Sequence, residues 1–344
     1  KWLKLPQVHP VPNPTASRQM RVSRAAAGLL LVAHAAQALR GAQRWGRMTA
    51  EEESAMKQSF SPRPPCSKDE QAMHGKVVDF RSKFGTRMKE IFDRIDGPVY
   101  LTVSGQFVNP LANYLIHVQQ VGITEGRTMA AVSAMMDTAG MEKCRVMEQN
   151  LGAMTMACLD ITGWITTYHE PGSYPYPFWW AKPVVFQLAV ESSNHGVLLT
   201  DLDVTIHQDL IPYSARRFQR DPQLILAISN EQGGYWWNSG TIYAEKRSLP
   251  FLQLWVDENN CYWQREFGDQ SAINSVLQRN MSQLGTTSHV HTYPKSIVGQ
   301  LCVKGEYATH YNCIMKQAKG VAGVMEDGGD WVPVEDVLTN HSSQ

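Results

Sequence analysis

The 344-residue chain lacks most of the short motifs that announce a chemistry. No G-x-G-x-x-G and no G-x-x-x-x-G-K-[ST] follows an apolar run, which argues against a dinucleotide fold and against a P-loop. G-x-S-x-G and H-E-x-x-H are absent too, so neither a nucleophile elbow nor a zincin helix is expected. The six cysteines (Cys66, Cys144, Cys158, Cys261, Cys302, Cys313) form no C-x-x-C pair and show no zinc spacing. Cys302 and Cys313 lie closest in sequence, and spacing alone leaves their pairing open. There is no charge excess: 32 Lys plus Arg face 32 Asp plus Glu. A nucleic-acid partner is therefore not expected, and there is no acidic tail. No internal repeat is visible.

The N-terminal part is basic and Pro-containing over residues 1–24 and reads as disordered. It begins at Lys1 rather than Met, so a missing true N-terminus is an expectation. Residues 25–39, AAAGLLLVAHAAQAL, lie between Arg18, Arg21 and Arg24 and the pair Arg40 and Arg44. The run is shorter than the roughly 20 residues that span a bilayer, and it contains His34 and Gln37. It reads equally as a short signal-anchor or signal-peptide core and as an Ala-rich amphipathic or transit-like helix. Residues 51–66 read as a linker. The domain reading is therefore a tail with a candidate anchor and linker over 1–65, a helical stem over 66–97, and a main domain over 98–338. Sequons at Asn280 and Asn340 are weak pointers to a secretory lumen.

Within the main domain, apolar runs alternate with helical patterns. VYLTVSG (99–105), TMAAVSAMM (128–136), AMTMACLDI (153–161), LILAIS (224–229) and SGTIYAE (239–245) read as strands or buried segments. Helices are expected over about 109–120, 183–192, 250–256 and 271–279. This alternation predicts an α/β fold with a mainly parallel sheet and crossover helices. Ten Trp and twelve Tyr suit ring stacking on a ligand and equally suit an ordinary core. Trp236 and Trp237 are adjacent, so one of them belongs to the core.

The most informative stretch is VLLTDLD, Val197 to Asp203. A buried strand runs into two carboxylates, and a strand's alternation puts Asp201 and Asp203 on one side. Ligands bind at the carboxyl ends of strands in open α/β sheets. Two carboxylates there repel each other unless a cation lies between them. Hard oxygen ligands suit Mn²⁺ or Mg²⁺.

An ordered series surrounds this pair: Lys182-Pro183 before it, Asp209 after it, then Asn238-Ser239-Gly240, Asp269-Gln270, and His310-Tyr311-Asn312. With this series the chain resembles the nucleotide-diphospho-sugar transferase domain family, plant and algal family 77 glycosyltransferases of GT-A fold, over about residues 98–335. The resemblance implies a Rossmann-like mixed sheet flanked by helices, with an N-terminal helical extension. It implies transfer of a sugar from a nucleotide-sugar donor, in the first instance a UDP-sugar, to a hydroxyl of a glycan or glycoprotein acceptor, with retention. It further implies Mn²⁺ (or Mg²⁺) on Asp201, Asp203 and His310, and a Golgi or other secretory membrane location. Lys316 and Lys319 are then candidates for the diphosphate, and Lys182, which otherwise reads as a surface cation at a helix start, is a further candidate for binding the donor. Thr102, Ser104 and Asp137 are candidates for the nucleoside. Asn238, Ser239, Gly240, Asp269 and Gln270 are candidates for the sugar and the reacting centre. The family's glycine six residues after the histidine is Lys316 here.

Two other readings stand beside it. DLDVT also matches D-x-D-x-T, the first motif of haloacid-dehalogenase phosphatases. Asp201 would then be a nucleophile and Asp203 an acid/base, with Ser229, Lys246, Asp327 and Asp330 in support. The other is a nucleotide-sugar-binding relative without catalysis.

Overall fold

Alternating faces of the strands carry two separate apolar clusters, and this is what builds the layers. The computed structural model describes residues 69–105, 107–162, 176–231, 236–262, 268–280, 289–312 and 315–339. Side chains of 69–76, 176–179, 261–262 and 315–319 are not included in that description. Residues 25–39, Cys66, Cys313 and Asn340 lie outside the described residues. So do the side chains of Cys261, Lys316 and Lys319.

Strands β1 (Val99–Ser104), β2 (Met129–Met135), β3 (Met154–Asp160), β4 (Val197–Thr200), β6 (Leu226–Asn230), β7 (Trp237–Ala244) and β8 (Val290–Thr292) form one sheet in the order β3-β2-β1-β4-β7-β6-β8. β7 runs antiparallel to β4 and β6, while the remaining pairings are parallel. The expected α/β class with a mainly parallel sheet is what the chain forms. Val99, Leu101, Val103, Leu199, Ile242 and Ala244 feed one cluster. Tyr100, Leu198 and Tyr243 feed the other. Strands buried on both faces need apolar residues at successive positions, which explains the unbroken run VLLT.

On the first face lie α1 (Asp69–Arg94), α4 (Tyr176–Ser192), α6 (Leu249–Tyr262) and α7 (Asp269–Asn280). The stretch expected as a stem buries Phe80, Met88 and Ile91 in the same cluster as the sheet, at helical spacing. The other face carries α2 (Val108–Glu125), α3 (Thr138–Asn150) and α5 (Leu210–Arg220). Cys144 on α3 is disulfide-bonded to Cys158 on β3. Cys302 is disulfide-bonded as well.

Two expectations change. The helix expected to start at Pro183 begins at Tyr176, with Pro183 inside it. From Trp180 to Val190 every residue is buried, so packing on all sides holds the helix despite the proline's missing N–H. Asn280 is fully buried and its amide donates to the Val276 carbonyl at 2.7 Å, so the folded chain does not present it for glycosylation.

Among the described residues no helix is long and apolar enough to cross a membrane. A smaller sheet pairs β5 (Val204–Ile206), β10 (Ala308–His310) and β9 (Val298–Gly299). The C-terminal part adds α8 (Met315–Asp327) and α9 (Glu335–Leu338).

One buried carboxylate gives the fold a pH signature. Glu245, at the end of β7, is 4 % exposed, takes a hydrogen bond from the Tyr243 hydroxyl at 3.1 Å and pairs with Arg247 at 3.2 Å. Burial pushes its carboxyl up to about 7, against the pull of Arg247. The folded state therefore holds this proton more tightly than the unfolded state, whose carboxyl titrates near 4.5. Stability from this group is present below that lower value and is lost as pH rises to 7. Comparing Glu245→Gln with the wild type by urea unfolding should show the wild type losing up to roughly 3 kcal/mol relative to the variant from pH 4.5 to 7. A difference independent of pH would contradict this.

Candidate metal centre

The chain builds β1, β2 and β3 outward on one side, then returns to place β4 on the other side of β1. The crevice between β1 and β4 is thus the topological switch point of the sheet, where such folds bind ligands. Asp201 follows β4 directly. Residues 201–203 form a turn between β4 and β5 rather than continuing the strand, with Val204 N donating to Asp201 O at 3.3 Å. The two carboxylates are therefore brought together by a turn, not by strand alternation. Leu202 between them is buried and anchors the turn.

His310 arrives from far along the chain. It ends β10, which pairs antiparallel with β5 so that His310 lies opposite Val204. Tyr311 N donates to Asp203 O at 2.7 Å and closes the junction. Asp201, Asp203 and His310 each offer one ligand atom, and these atoms lie within 4.8 Å of one another. His310 Nε2 is 3.2 Å from Asp203 Oδ1. Two carboxylates and one imidazole suit a divalent cation of intermediate hardness.

Lys182 lies beside this group. Its ammonium is 2.6 Å from Asp201 Oδ1 and 2.9 Å from Asp269 Oδ2. It is 2 % exposed, because it sits on the helix that is buried all round. Burial pulls the ammonium down, but the two carboxylates more than offset that and hold it above the ordinary lysine range. Burial and the like charge of Asp203 raise the Asp201 carboxyl, with Lys182 opposing. Three carboxylates (Asp201, Asp203, Asp269) against one ammonium leave two negative charges, the complement of one dication.

The neighbours of the pair are placed by hydrogen bonds. Ser239 Oγ donates to Asp269 Oδ2 at 2.7 Å and lies 3.4 Å from Lys182 Nζ. Trp255 Nε1 donates to the Asp269 carbonyl at 2.9 Å. Gly240 N donates to Asn238 Oδ1 at 2.6 Å, and the Gly240 carbonyl accepts from Asp201 N at 2.9 Å. A Cβ at Gly240 would stand 2.7 Å from Asn238 Oδ1, 2.8 Å from Asp201 Oδ2, and against the His310 ring. Only glycine leaves that space open. If a divalent cation is held by this cluster, Gly240→Ala should weaken its binding by tenfold or more, since ligand displacement is costly at such sites. Isothermal titration with Mn²⁺ checks this, and an unchanged affinity would refute it.

Thr102, Ser104 and Asp137 lie at the same carboxyl edge, on β1 and just past β2. Thr102 is engaged with Ser133 at 3.1 Å, and Ser104 is buried against Gly105. Asp137 caps α3, accepting from Gly140 N at 2.7 Å through Oδ1. Its Oδ2 is buried with no hydrogen-bond partner among the described residues. From β2 to β4 are two strand spacings, about 10 Å, the scale of a nucleoside.

Other sequence candidates fall elsewhere. Asp209 caps α5, accepts from the Tyr100 hydroxyl at 2.6 Å and pairs with Arg127, so it is structural. Trp237 is core and Trp236 is exposed. The phosphatase constellation does not assemble: Lys246 bonds Asn194, which precedes β4, at the strand end away from Asp201.

Glu231 was not singled out. It takes Gln270 Nε2 at 2.8 Å and Asn312 Nδ2 at 3.3 Å, joining the residue after Asp269 to the second residue after His310. A signal existed: like Asp201, it is a carboxylate directly after an apolar strand that points to the same sheet edge.

No family model and no curated protein matches the sequence. Solved structures similar to it include the galactosyltransferase LgtC in complex with donor and acceptor sugar analogues, at 13 % identity and a TM-score of 0.45, covering 69 % of this chain and 98 % of that one. Mouse xyloside xylosyltransferase 1 aligns at 12 % identity with a TM-score of 0.44, covering 64 % and 99 %. A glycosyltransferase involved in glycosylation of the PBCV-1 major capsid aligns at 12 % and 0.36, covering 67 % and 100 %.

Proposed function

We propose that the protein is a metal-dependent glycosyltransferase. It moves a sugar from a nucleotide-diphospho-sugar, in the first instance a UDP-sugar, to a hydroxyl of a glycan or glycoprotein. The observation that carries this reading is the Asp201–Asp203–His310 cluster at the switch point, with net charge for one dication. The mixed carboxylate and imidazole set favours Mn²⁺ over Mg²⁺. A bound ion supplies positive charge for the departing nucleoside diphosphate.

The chain's own groups do the rest. Asp137 Oδ2, buried and unpartnered, suits a ribose hydroxyl. Thr102 and Ser104 shape the nucleoside side of the crevice. Asn238, Ser239, Gly240, Asp269 and Gln270 take the sugar side, where the Lys182 ammonium balances the carboxylates. Lys316 and Lys319 are assigned to the diphosphate on the resemblance alone. The anomeric carbon loses its phosphate oxygen and gains the acceptor oxygen, and the acceptor proton passes to the departing phosphate on the same face. Retention follows, with no separate general base.

The Cys144–Cys158 bridge supports an oxidising compartment such as a secretory lumen. Incubating the full chain with Mn²⁺, a panel of nucleotide-sugars and a panel of glycan and glycoprotein acceptors should release a nucleoside diphosphate from one of the donors. Proton NMR of the product should then show the donor's anomeric configuration. Inversion would overturn the stereochemistry, and no release from any donor would overturn the activity.

A further inference from the structure

A histidine that binds a metal usually donates its second ring nitrogen to a carboxylate or carbonyl, which fixes the ring. His310 has no such support: Nδ1 is buried with no hydrogen-bond partner among the described residues. Its placement then falls to the contact of Nε2 with Asp203 and to the backbone on either side.

Both neighbours of His310 are held, and both holds lead to one carboxylate. On one side the Tyr311 hydroxyl donates to Asp330 Oδ2 at 2.6 Å. On the other, Thr309 Oγ1 shares a hydrogen bond of 2.8 Å with His207 Nε2, which is 3.4 Å from Asp330 Oδ2. Asp330 is 4 % exposed and lies between α8 and α9. Its own place is fixed by its backbone, whose carbonyl accepts from His117 Nε2 at 2.9 Å and Asn113 Nδ2 at 3.2 Å, both on α2. Lys304 Nζ stands 3.4 Å from Oδ1. Gly328 completes the fit, since a Cβ there would run into the Tyr311 hydroxyl. Burial pulls His207 and His117 below the ordinary histidine range, against the attraction of Asp330.

We propose that Asp330 is a positioning residue for the metal centre: through Tyr311 and through His207 and Thr309 it clamps both residues flanking His310 and so sets the imidazole against Asp203. The C-terminal segment after α8 thereby becomes part of the metal site without touching the ion. This rests on the reading of Asp201, Asp203 and His310 as metal ligands.

The test is Mn²⁺ binding alone, without nucleotide, by the full chain, followed by electron paramagnetic resonance of free Mn²⁺. Tyr311→Phe keeps the ring and removes the bond to Asp330. Asp330→Asn keeps the shape and removes the charge. Both variants should bind Mn²⁺ ten- to a hundredfold more weakly than wild type, the range for lost outer-sphere support. Saturating Mn²⁺ should still fill one site per chain, and the metal-free unfolding temperature should fall by a few degrees at most. A merely structural role would lower that temperature and leave the affinity alone. Affinities within twofold of wild type in both variants overturn the proposal. If wild type itself binds no Mn²⁺, the metal reading has failed and this inference with it.

Discussion

Asp203→Asn should abolish divalent-ion binding and lower sugar transfer at least about a thousandfold, the equivalent of roughly 4 kcal/mol of transition-state stabilisation. The side chain is buried, and its oxygen lies 3.2 Å from His310 Nε2. Asparagine preserves the volume, but it removes one of the three carboxylate charges of a site whose single ammonium is already paired with Asp201 and Asp269. The net charge falls from two negative to one, and the donor set loses its most committed member, since Asp201 already shares an oxygen with Lys182. In the metal-free protein the same change relieves repulsion with Asp201, so the unfolding temperature should hold steady or rise. Calorimetric Mn²⁺ titration and nucleoside diphosphate release measure the two effects. Retention of activity within tenfold would mean that Asp203 does not hold the ion.

Lys182→Met should give the largest loss of stability of any single change at the site. It leaves Asp269 and Asp201 without their cation in a nearly closed space, and breaking a buried pair this way costs about 3–5 kcal/mol. The Asp201 side chain is 25 % exposed, which puts the expected value near the lower end. Mn²⁺ should restore part of the loss, because it supplies positive charge to the same carboxylates. Urea unfolding with and without Mn²⁺ reads both parts. A loss under about 1 kcal/mol would show that the ammonium does not balance the pair.

The fold was legible where burial on two faces writes unbroken apolar runs: VLLT before Asp201 and LILAIS over 224–229 mark parallel strands whose ends share one edge. The place of the carboxylate pair at the end of β4 was legible for the same reason, but the turn that brings the two side chains together was not, because strand alternation was expected there. His310 was reached only through a resemblance, because a cross-strand pairing between β5 and β10 leaves no local trace. Lys182 looked like a helix-start cation. Its burial depends on α1, α6 and the sheet enclosing α4, and no window around Lys182 carries that information. Asp209 looked like a third member of the acidic series, yet Tyr100 and Arg127 draw it into a helix cap. Asn280 matched a sequon whose amide the fold buries. For Lys182 and Asp209 a long-range contact overrode a local pattern.

The most direct test of the account is thermal unfolding of the full chain against a panel of nucleotide-sugars, with and without Mn²⁺, beside Asp203→Asn. The account predicts that one nucleotide-sugar stabilises the wild type, that it does so only with Mn²⁺, and that the variant does not respond. Stabilisation that needs neither Mn²⁺ nor Asp203, or no response to any nucleotide-sugar, would contradict it.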